Sequence, residues 1–349
     1  MWKFLESEKL VILGLTEDAT RTDAQIADLY KLKKGTVASI RRRLLDSGAI
    51  AFVNVPSFNK LGCEMLAAHI GTAEPTDKVD MRASSYVEFT SKTPQIFHGL
   101  IGGSSVVFYT ALRNATEYDG IIQSHGIFFT GARRNYKARL SSTVFPFALS
   151  KITPVPNFAP VVHRYFKLDV PLPKSVQACQ CEVETPDLTQ TEKKTLVALV
   201  EDPRASDRHV ASLVGVSRQA ITRIRNKLTE ERIVTPACIP RMYKWGFEIS
   251  VIAHPRFNME IPWDKRLKMQ PRDSVDLSIL TLSKADEAVA NYMIAKFSEY
   301  TDGLEGMLAW YHKAKAFDEK PEITLFPLER STELRTYEYG PAVRRLLVP

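Results

Sequence analysis

Residues 22–48 read TDAQIADLYKLKKGTVASIRRRLLDSG, and residues 206–232 read SDRHVASLVGVSRQAITRIRNKLTEER. The two stretches belong to a longer repeat. Laid without a gap over one another, residues 8–64 and 192–248 are identical at 15 of 57 positions, among them Glu8/Glu192, Asp23/Asp207, Leu29/Leu213, Ile40/Ile224, Arg41/Arg225, Leu44/Leu228, Lys60/Lys244 and Gly62/Gly246. A duplication of this length points to one chain doing the work of a symmetric dimer.

Each copy carries start signals for three helices. Ser7 and Thr191 are each followed by a glutamate suited to the positive end of a first helix. Thr22 and Ser206 open a short second helix, and Thr22 with Gln25 has capping-box spacing. Its apolar positions are Ile26, Ala27 and Leu29 in one copy and Val210, Ala211 and Leu213 in the other. After a tight turn, with Gly215 in the second copy, a third helix starts at Ser217, a good cap, or at Lys33, a poor one. Val37, Ile40 and Leu44, matched by Ile221, Ile224 and Leu228, give that helix an apolar stripe, and its opposite face is basic. The β-prone runs Ala49–Val55 and Ile233–Ile239, bounded by Pro56 and Pro240, suit a wing. The pattern is a winged helix-turn-helix, twice. Arg232 stands where the first copy has Gly48, so the two third helices are expected to end differently.

Beyond Gly62 and Gly246 the pattern changes. The first half reads as strand Met65–Gly71, helix Lys78–Ser91, strand Gln95–Ile101, loop Gly102–Ser105, strand Val106–Leu112, helix Thr116–Phe128 and a last strand within Tyr136–Phe147, a βαββαβ order of ferredoxin-like type. The second half offers strand Ile249–His254, an ambiguous segment Trp263–Met269, strand Val275–Leu282, helix Asp286–Ser298 and strand Glu322–Leu328, one strand short. Thr143-Val144-Phe145-Pro146 recurs as Thr324-Leu325-Phe326-Pro327, so the repeat reaches the end of this domain. Between the halves, six prolines in residues 151–187, with one strand-like run at Val161–Val170, predict an extended connector.

The expected fold class is therefore α+β, a tandem pseudo-dimer. Its expected domains are a winged helix-turn-helix at 1–60, a ferredoxin-like domain at 61–150, the connector at 151–187, a second winged helix-turn-helix at 188–245, a second ferredoxin-like domain at 246–330 and a tail at 331–349.

Composition bounds the function. The apolar and charged fractions, 44% and 25%, are those of an ordinary globular protein. The net charge of +7 is consistent with a polyanionic partner. No apolar run approaches a membrane span, and Lys3, Glu6, Glu8 and Lys9 interrupt the first segment where a secretory signal needs an apolar block. No membrane partner and a cytoplasmic location are expected. Cys63, Cys179, Cys181 and Cys238 lack the spacing of a zinc site or a disulfide framework and read as free thiols. No metal, cofactor or catalytic grouping is expected from the sequence.

Over Ser217-Arg218-Gln219-Ala220-Ile221…Leu228, over Val37…Leu44…Gly48-Ala49-Ile50, and at Leu61-Gly62, the chain resembles the Lrp/AsnC family of prokaryotic and archaeal transcription regulators. The resemblance implies a double-stranded DNA partner, a small-molecule effector and association of chains into homodimers. The family's hairpin glycine corresponds to Gly102, so Gly102, Gly103, Ser104 and Ser105 are the candidate effector-binding segment, although Ser105 stands where the family places Asp. With the third helices in the major groove, Lys33, Lys34, Thr36 and Ser39 face bases in the first copy, and Arg41, Arg42 and Arg43 face the backbone. In the second copy Ser217 opens the recognition segment, Arg218, Gln219 and Thr222 face bases, and Arg223, Arg225, Asn226 and Lys227 face either. Arg218 suits guanine and Gln219 adenine. Unlike letters on the two helices imply an imperfect palindrome. A solvated helix face is the plain alternative reading of these charges, and solvation is also the simpler account of Arg133, Arg134, Lys137 and Arg139.

Two other readings stand beside this one. Helix-turn-helix folds also bind proteins, and the architecture is similar to that of sirohaem decarboxylases, enzymes that act on a tetrapyrrole. The imidazoles available to such an enzyme are His98, His125, His254 and His312.

Overall fold

The computed structural model describes residues 3–72, 79–130, 139–174, 176–181, 184–269 and 278–348. The first copy runs α1 (Glu6–Glu17), α2 (Asp23–Tyr30), α3 (Lys34–Asp46), β1 (Ile50–Pro56), β2 (Met65–Thr72), α4 (Val79–Lys92), β3 (Ile96–Gly102), β4 (Ser105–Leu112), α5 (Ala115–Thr130) and β5 (Arg139–Pro146). There follow β6 (Lys151–Ile152), α6 (Ala159–Phe166) and β7 (Cys179–Gln180). The second copy is α7 (Gln190–Glu201), α8 (Asp207–Val214), α9 (Arg218–Glu230), β8 (Val234–Pro240), α10 (Met242–Trp245), β9 (Ile249–His254), α11 (Trp263–Met269), β10 (Ser278–Ser283), β11 (Ala288–Ile294), α12 (Glu305–Lys313) and β12 (Glu322–Pro327). The chain ends in β13 (Ser331–Arg335) and α13 (Gly340–Leu347).

Contacts divide the chain into two compact units that exchange halves of the repeat. The first holds Met1–Val53, Lys151–Cys179 and Pro236–Leu325, and the second holds Asn54–Ser150, Gln180–Thr235 and Phe326–Pro349. Each unit thus joins the helical domain of one copy to the αβ domain of the other. Both sheets carry the order of a ferredoxin-like domain with an extra edge strand. One runs β12-β9-β11-β10-β6 with short β7 beyond it, and the other runs β13-β3-β4-β2-β5.

In the first helical domain Val11, Ile12, Leu15, Ile26, Val37 and Leu44 are buried together, and in the second Leu196, Leu199, Val210, Ile221 and Leu228 are. Each such side chain contributes roughly 1.5–3 kcal/mol by leaving water. Leu29 and Leu213 face solvent instead, at 51% and 64% exposure. The first helices start two residues earlier than the Ser7 and Thr191 reading. Thr189 caps α7 by accepting the Glu192 amide, and Glu192 returns a bond to the Thr189 amide at 2.8 Å. In α1 only the return half exists, because Leu5 has no acceptor, and Glu8 takes the Leu5 amide at 2.7 Å. Gly48 and Arg232 end their helices alike, at φ +63° and +51°, because the chain needs a left-handed residue there whichever side chain occupies it. The expected difference between these ends is absent.

The wing is reduced to one strand per copy, and β1 and β8 make a two-stranded sheet. Within the first unit the Arg241 amide donates to the Ala49 carbonyl at 2.9 Å, and within the second the Ser57 amide donates to the Ile233 carbonyl at 2.9 Å.

Three further segments fold otherwise than their sequence predicts. Val161–Val170 contains a helix, α6, because Pro160 sits in its first turn and Val161 and Val162 bury one face, with α6 packed on α1. Phe166 lies 5.3 Å from Phe4 and 5.5 Å from Trp245, ring to ring. The 331–349 tail is its counterpart: β13 extends a sheet edge and α13 packs on α7, where Arg344 holds Glu201 at 2.7 Å. The segment Asp286–Ser298 contains a strand, β11, not a helix, and it supplies the strand that the second domain lacked. It lies between β9 and β10 and is buried at six of its seven positions, so its sequence is apolar on both faces apart from Asn291, which meets the Ser250 hydroxyl, and shows no alternation to read. The helix of that region is α12, which Gly303 and Gly306 disguise. Cys63, Cys179, Cys181 and Cys238 are free thiols.

Candidate nucleic-acid interface

Helix α9 is the better built of the two third helices. Ser217 Oγ accepts the Ala220 amide at 3.2 Å, and Ile221, Ile224 and Leu228 fix the inward face. That register turns Arg218, Gln219, Thr222, Arg223 and Asn226 to solvent. With Lys227 and Glu230 they line an open groove of about 620 Å³ along the helix. On α3, Lys33 has no capping bond, and Lys34, Thr36, Ser39, Arg42 and Arg43 are exposed.

The basic residues divide into spent and unspent groups, in the same way in both copies. Arg41 Nε lies 2.7 Å from Asp23 Oδ1, and Arg225 Nε lies 2.8 Å from Asp207 Oδ1. Each also donates to a carbonyl of the preceding loop, Arg41 to Arg21 at 2.6 Å and Arg225 to Ala205 at 2.9 Å. Arg43 pairs with Glu8, and Lys227 Nζ lies 2.6 Å from Glu192 Oε1. These four cations brace the third helix against the first two. Thr222 joins them, its hydroxyl 2.6 Å from Asp207 Oδ2. Lys33, Lys34, Arg42, Arg218 and Arg223 make no ion pair among the described residues.

The carboxylates register this work. Burial pushes the Glu192 carboxyl up, but bonds from Lys227 and Thr189 outweigh it and leave the group below its ordinary value. Asp207 is likewise raised by burial and lowered further by Thr222 and Arg225, with Arg218 adding to the effect. These carboxylates escaped the reading of the basic face, although a signal was present: all four of their positions are among those identical between the repeats.

The other sequence candidates are placed as follows. Gly102 and Ser105 pair across a turn in which Gly103 has φ +59°. Ser331 of β13 pairs with Gly102, and a Cβ there would strike its hydroxyl, so Gly102 is spent in seating the last strand. Gly103 and Ser104 are exposed. Arg133, Arg134 and Lys137 lie outside the described residues, as does the side chain of Arg139. Of the imidazoles, His98 Nδ1 meets the Arg335 carbonyl at 3.0 Å, His125 Nε2 meets the Tyr86 hydroxyl at 3.1 Å and His254 Nε2 meets Glu287 at 2.7 Å, all three buried, while His312 is exposed on α12. Among the described residues no helix is long and apolar enough to cross a membrane.

The winged helix-turn-helix DNA-binding family matches residues 188–235, the segment that ends with α9 and the start of β8. No curated protein matches the chain. Among solved structures, the siroheme decarboxylase NirDL in co-complex with an iron-uroporphyrin III analogue aligns with TM-score 0.51 at 13% identity, over 97% of this chain and 98% of its own. NirDL alone aligns with TM-score 0.50 at 11% identity, over 98% of each chain. An AsnC family transcriptional regulator from Agrobacterium tumefaciens aligns with TM-score 0.33 at 14% identity, over 40% of this chain and 89% of its own. The whole-chain likeness shows the fold, a winged helix-turn-helix and ferredoxin-like pair duplicated in one chain, and the family match falls on its second helical domain.

Proposed function

We propose that the chain is a sequence-specific regulator of transcription that binds double-stranded DNA through α3 and α9 on an imperfectly palindromic site. The observation that carries this reading is the division of charge on both helices. Arg41, Arg43, Arg225 and Lys227 stabilise the helical domains, while the outward Lys33, Lys34, Arg42, Arg218 and Arg223 stay unpaired beside the polar Gln219 and Asn226. Arg218 near the helix start is assigned to a guanine edge and Gln219 to adenine, with Arg42 and Arg223 on phosphates. Selection of bound fragments from random duplexes tests it: recovery of a motif with two unlike half-sites supports the reading, and recovery of none overturns it.

A second reading, an enzyme acting on a tetrapyrrole, is favoured by one observation, the whole-chain fold likeness to a siroheme decarboxylase. Its test is the visible absorption spectrum of the protein mixed with sirohaem. A shifted, saturable band supports it, and an additive spectrum counts against it.

A further inference from the structure

The two αβ domains differ at several pairs of facing residues: Ala67 and Thr110 of the first copy become Val251 and Tyr292 in the second, and the next pair along the strands changes most in volume. In the first copy His69 of β2 sits opposite Phe108 of β4, their rings stacked at 4.6 Å, and the core around them is filled by Tyr86, Phe89 and Phe129. In the second copy the register partners are Ala253 of β9 and Ala290 of β11, with Ala253 at the repeat offset from His69. Two alanines replace an imidazole and a phenyl ring. Both alanines line a cavity of about 420 Å³ between the sheet and helices α11 and α12, within the size range of small-molecule sites.

Its wall is aromatic, with Phe257, Trp263, Tyr292, Tyr311 and Phe317, and it holds one buried cation, Arg266, which is 6% exposed. The guanidinium lies 4.3 Å from the Phe257 ring centroid and donates from Nη2 to the Ala285 carbonyl. Its Nε and Nη1 have no hydrogen-bond partner among the described residues. Asp286 is near enough to act on it but is exposed and 3.7 Å from Lys284. Buried donors on a charged group are costly to leave unmade, and an anion that met them would remove that cost. The nearby hydroxyls are largely engaged with each other: Ser278 and Thr281 lie 2.7 Å apart, and Thr153 Oγ1 accepts the Thr281 amide at 3.0 Å. Lys151 also lines the cavity, but its Nζ lies 4.7 Å from the Trp263 ring centroid and 3.6 Å from Asp264 Oδ1, so Arg266 is the cation with buried, unmet donors, and one such group in an aromatic wall suits a carboxylate on a flat apolar body better than a phosphate.

We infer that the second αβ domain binds a small organic carboxylate with an aromatic or flat apolar body, one per chain, its carboxylate on Arg266 and its body against the Ala253–Ala290 pair. The first αβ domain is the filled, ligand-free version of the same frame.

The test is a fluorescence titration of the purified full chain with 1-naphthoate, with no DNA present, so its outcome is separate from the DNA-binding reading. Saturable binding at one site per chain is expected. The Arg266→Gln variant should weaken it by about tenfold or more, and the neutral 1-naphthylmethanol should bind weaker by a similar factor. Inorganic phosphate should not compete. Ala290→Phe, which restores the ring of the other copy, should abolish binding while thermal unfolding stays cooperative, and it decides the matter where Arg266→Gln fails to fold. No saturable binding by the unaltered chain, equal binding of the alcohol, competition by phosphate, or undiminished binding by Ala290→Phe would each overturn the inference.

Discussion

The Ser47 carbonyl at the end of α3 accepts a bond from Lys244 Nζ at 3.2 Å, and the Glu231 carbonyl at the end of α9 accepts one from Lys60 Nζ at 2.8 Å. The two lysines are equivalent in the repeat, and each closes the negative end of the third helix of the opposite copy. Replacing either by Ala is expected to cost about 0.3–1 kcal/mol, the usual worth of a cation at a helix C-terminus. Denaturant midpoints measure this, and no shift for either variant would deny the lysines that role.

The spent and unspent arginines should separate cleanly in mutation. Arg225→Ala breaks the bonds to Asp207 and Ala205 and is expected to lower stability by about 1–3 kcal/mol. Arg218→Ala should leave the unfolding midpoint in place, cost about 1–3 kcal/mol of DNA affinity and relax preference at one base position, whereas Arg42→Ala should weaken all sequences alike. Equal losses of affinity on specific and random duplexes for both Arg218→Ala and Arg42→Ala would refute the division of roles.

Affinity for DNA should fall with salt at a log-log slope of about −0.9 per phosphate neutralised, so that six to eight contacts give roughly −5 to −7. Arg42→Ala should reduce the slope by about one such contact. A flat salt dependence would sink the electrostatic account.

Glu192 performs two tasks, the return bond to the Thr189 amide and the pair with Lys227. Its replacement by Ala is expected to destabilise the second helical domain by about 1–3 kcal/mol, combining a lost cap with a lost charged bond. Since its carboxyl titrates below its ordinary value in the folded chain, this contribution is present at neutral pH and is lost as pH falls through the folded-state value. The unfolding midpoint of Glu192→Ala should therefore approach that of the unaltered protein in acid, and a difference that persisted undiminished would contradict the pairing.

His69 is fully buried between the Ser142 and Thr110 hydroxyls, and burial lowers it from 6.5 to about 3. The unfolded chain takes up a proton in this window that the folded chain refuses, so stability falls as pH drops below 6.5, by up to about 1.4 kcal/mol per pH unit for this one group. His69→Gln keeps a polar partner for the hydroxyls and should flatten that part of the profile. An unchanged acid slope would show that the imidazole is not the group responsible.

The helical domains were legible because their signals are local. Thr22, Ser206 and Ser217 cap helices where the sequence places them, and the stripes Val37-Ile40-Leu44 and Ile221-Ile224-Leu228 face inward as their spacing requires. Which cations remain available was not legible, because Asp207 lies 18 residues from Arg225 and Glu192 lies 35 from Lys227, and only the packed helices bring them together. The β11 and α6 segments were misread for a related reason. Val161-Val162 has strand-like chemistry and Ala288-Val289-Ala290 has helix-tolerant chemistry, and in each case the neighbouring element, α1 or the β9–β10 pair, decides the outcome. The Arg266 cavity left its trace only in a comparison of copies, as two alanines opposite a histidine and a phenylalanine.

The interleaving of the two units has a consequence for biosynthesis. The first unit draws on residues from Met1 to Leu325 and the second on residues from Asn54 to Pro349, so neither can close until all of those residues have left the ribosome. The early helical segment, up to Val53, must wait for an αβ partner that begins only at Pro236. Loops of that length make for slow, non-local folding and a nascent chain exposed to aggregation. Dependence on chaperones during synthesis, and failure of either half-gene to give a soluble product when expressed alone, follow from the threading of the chain.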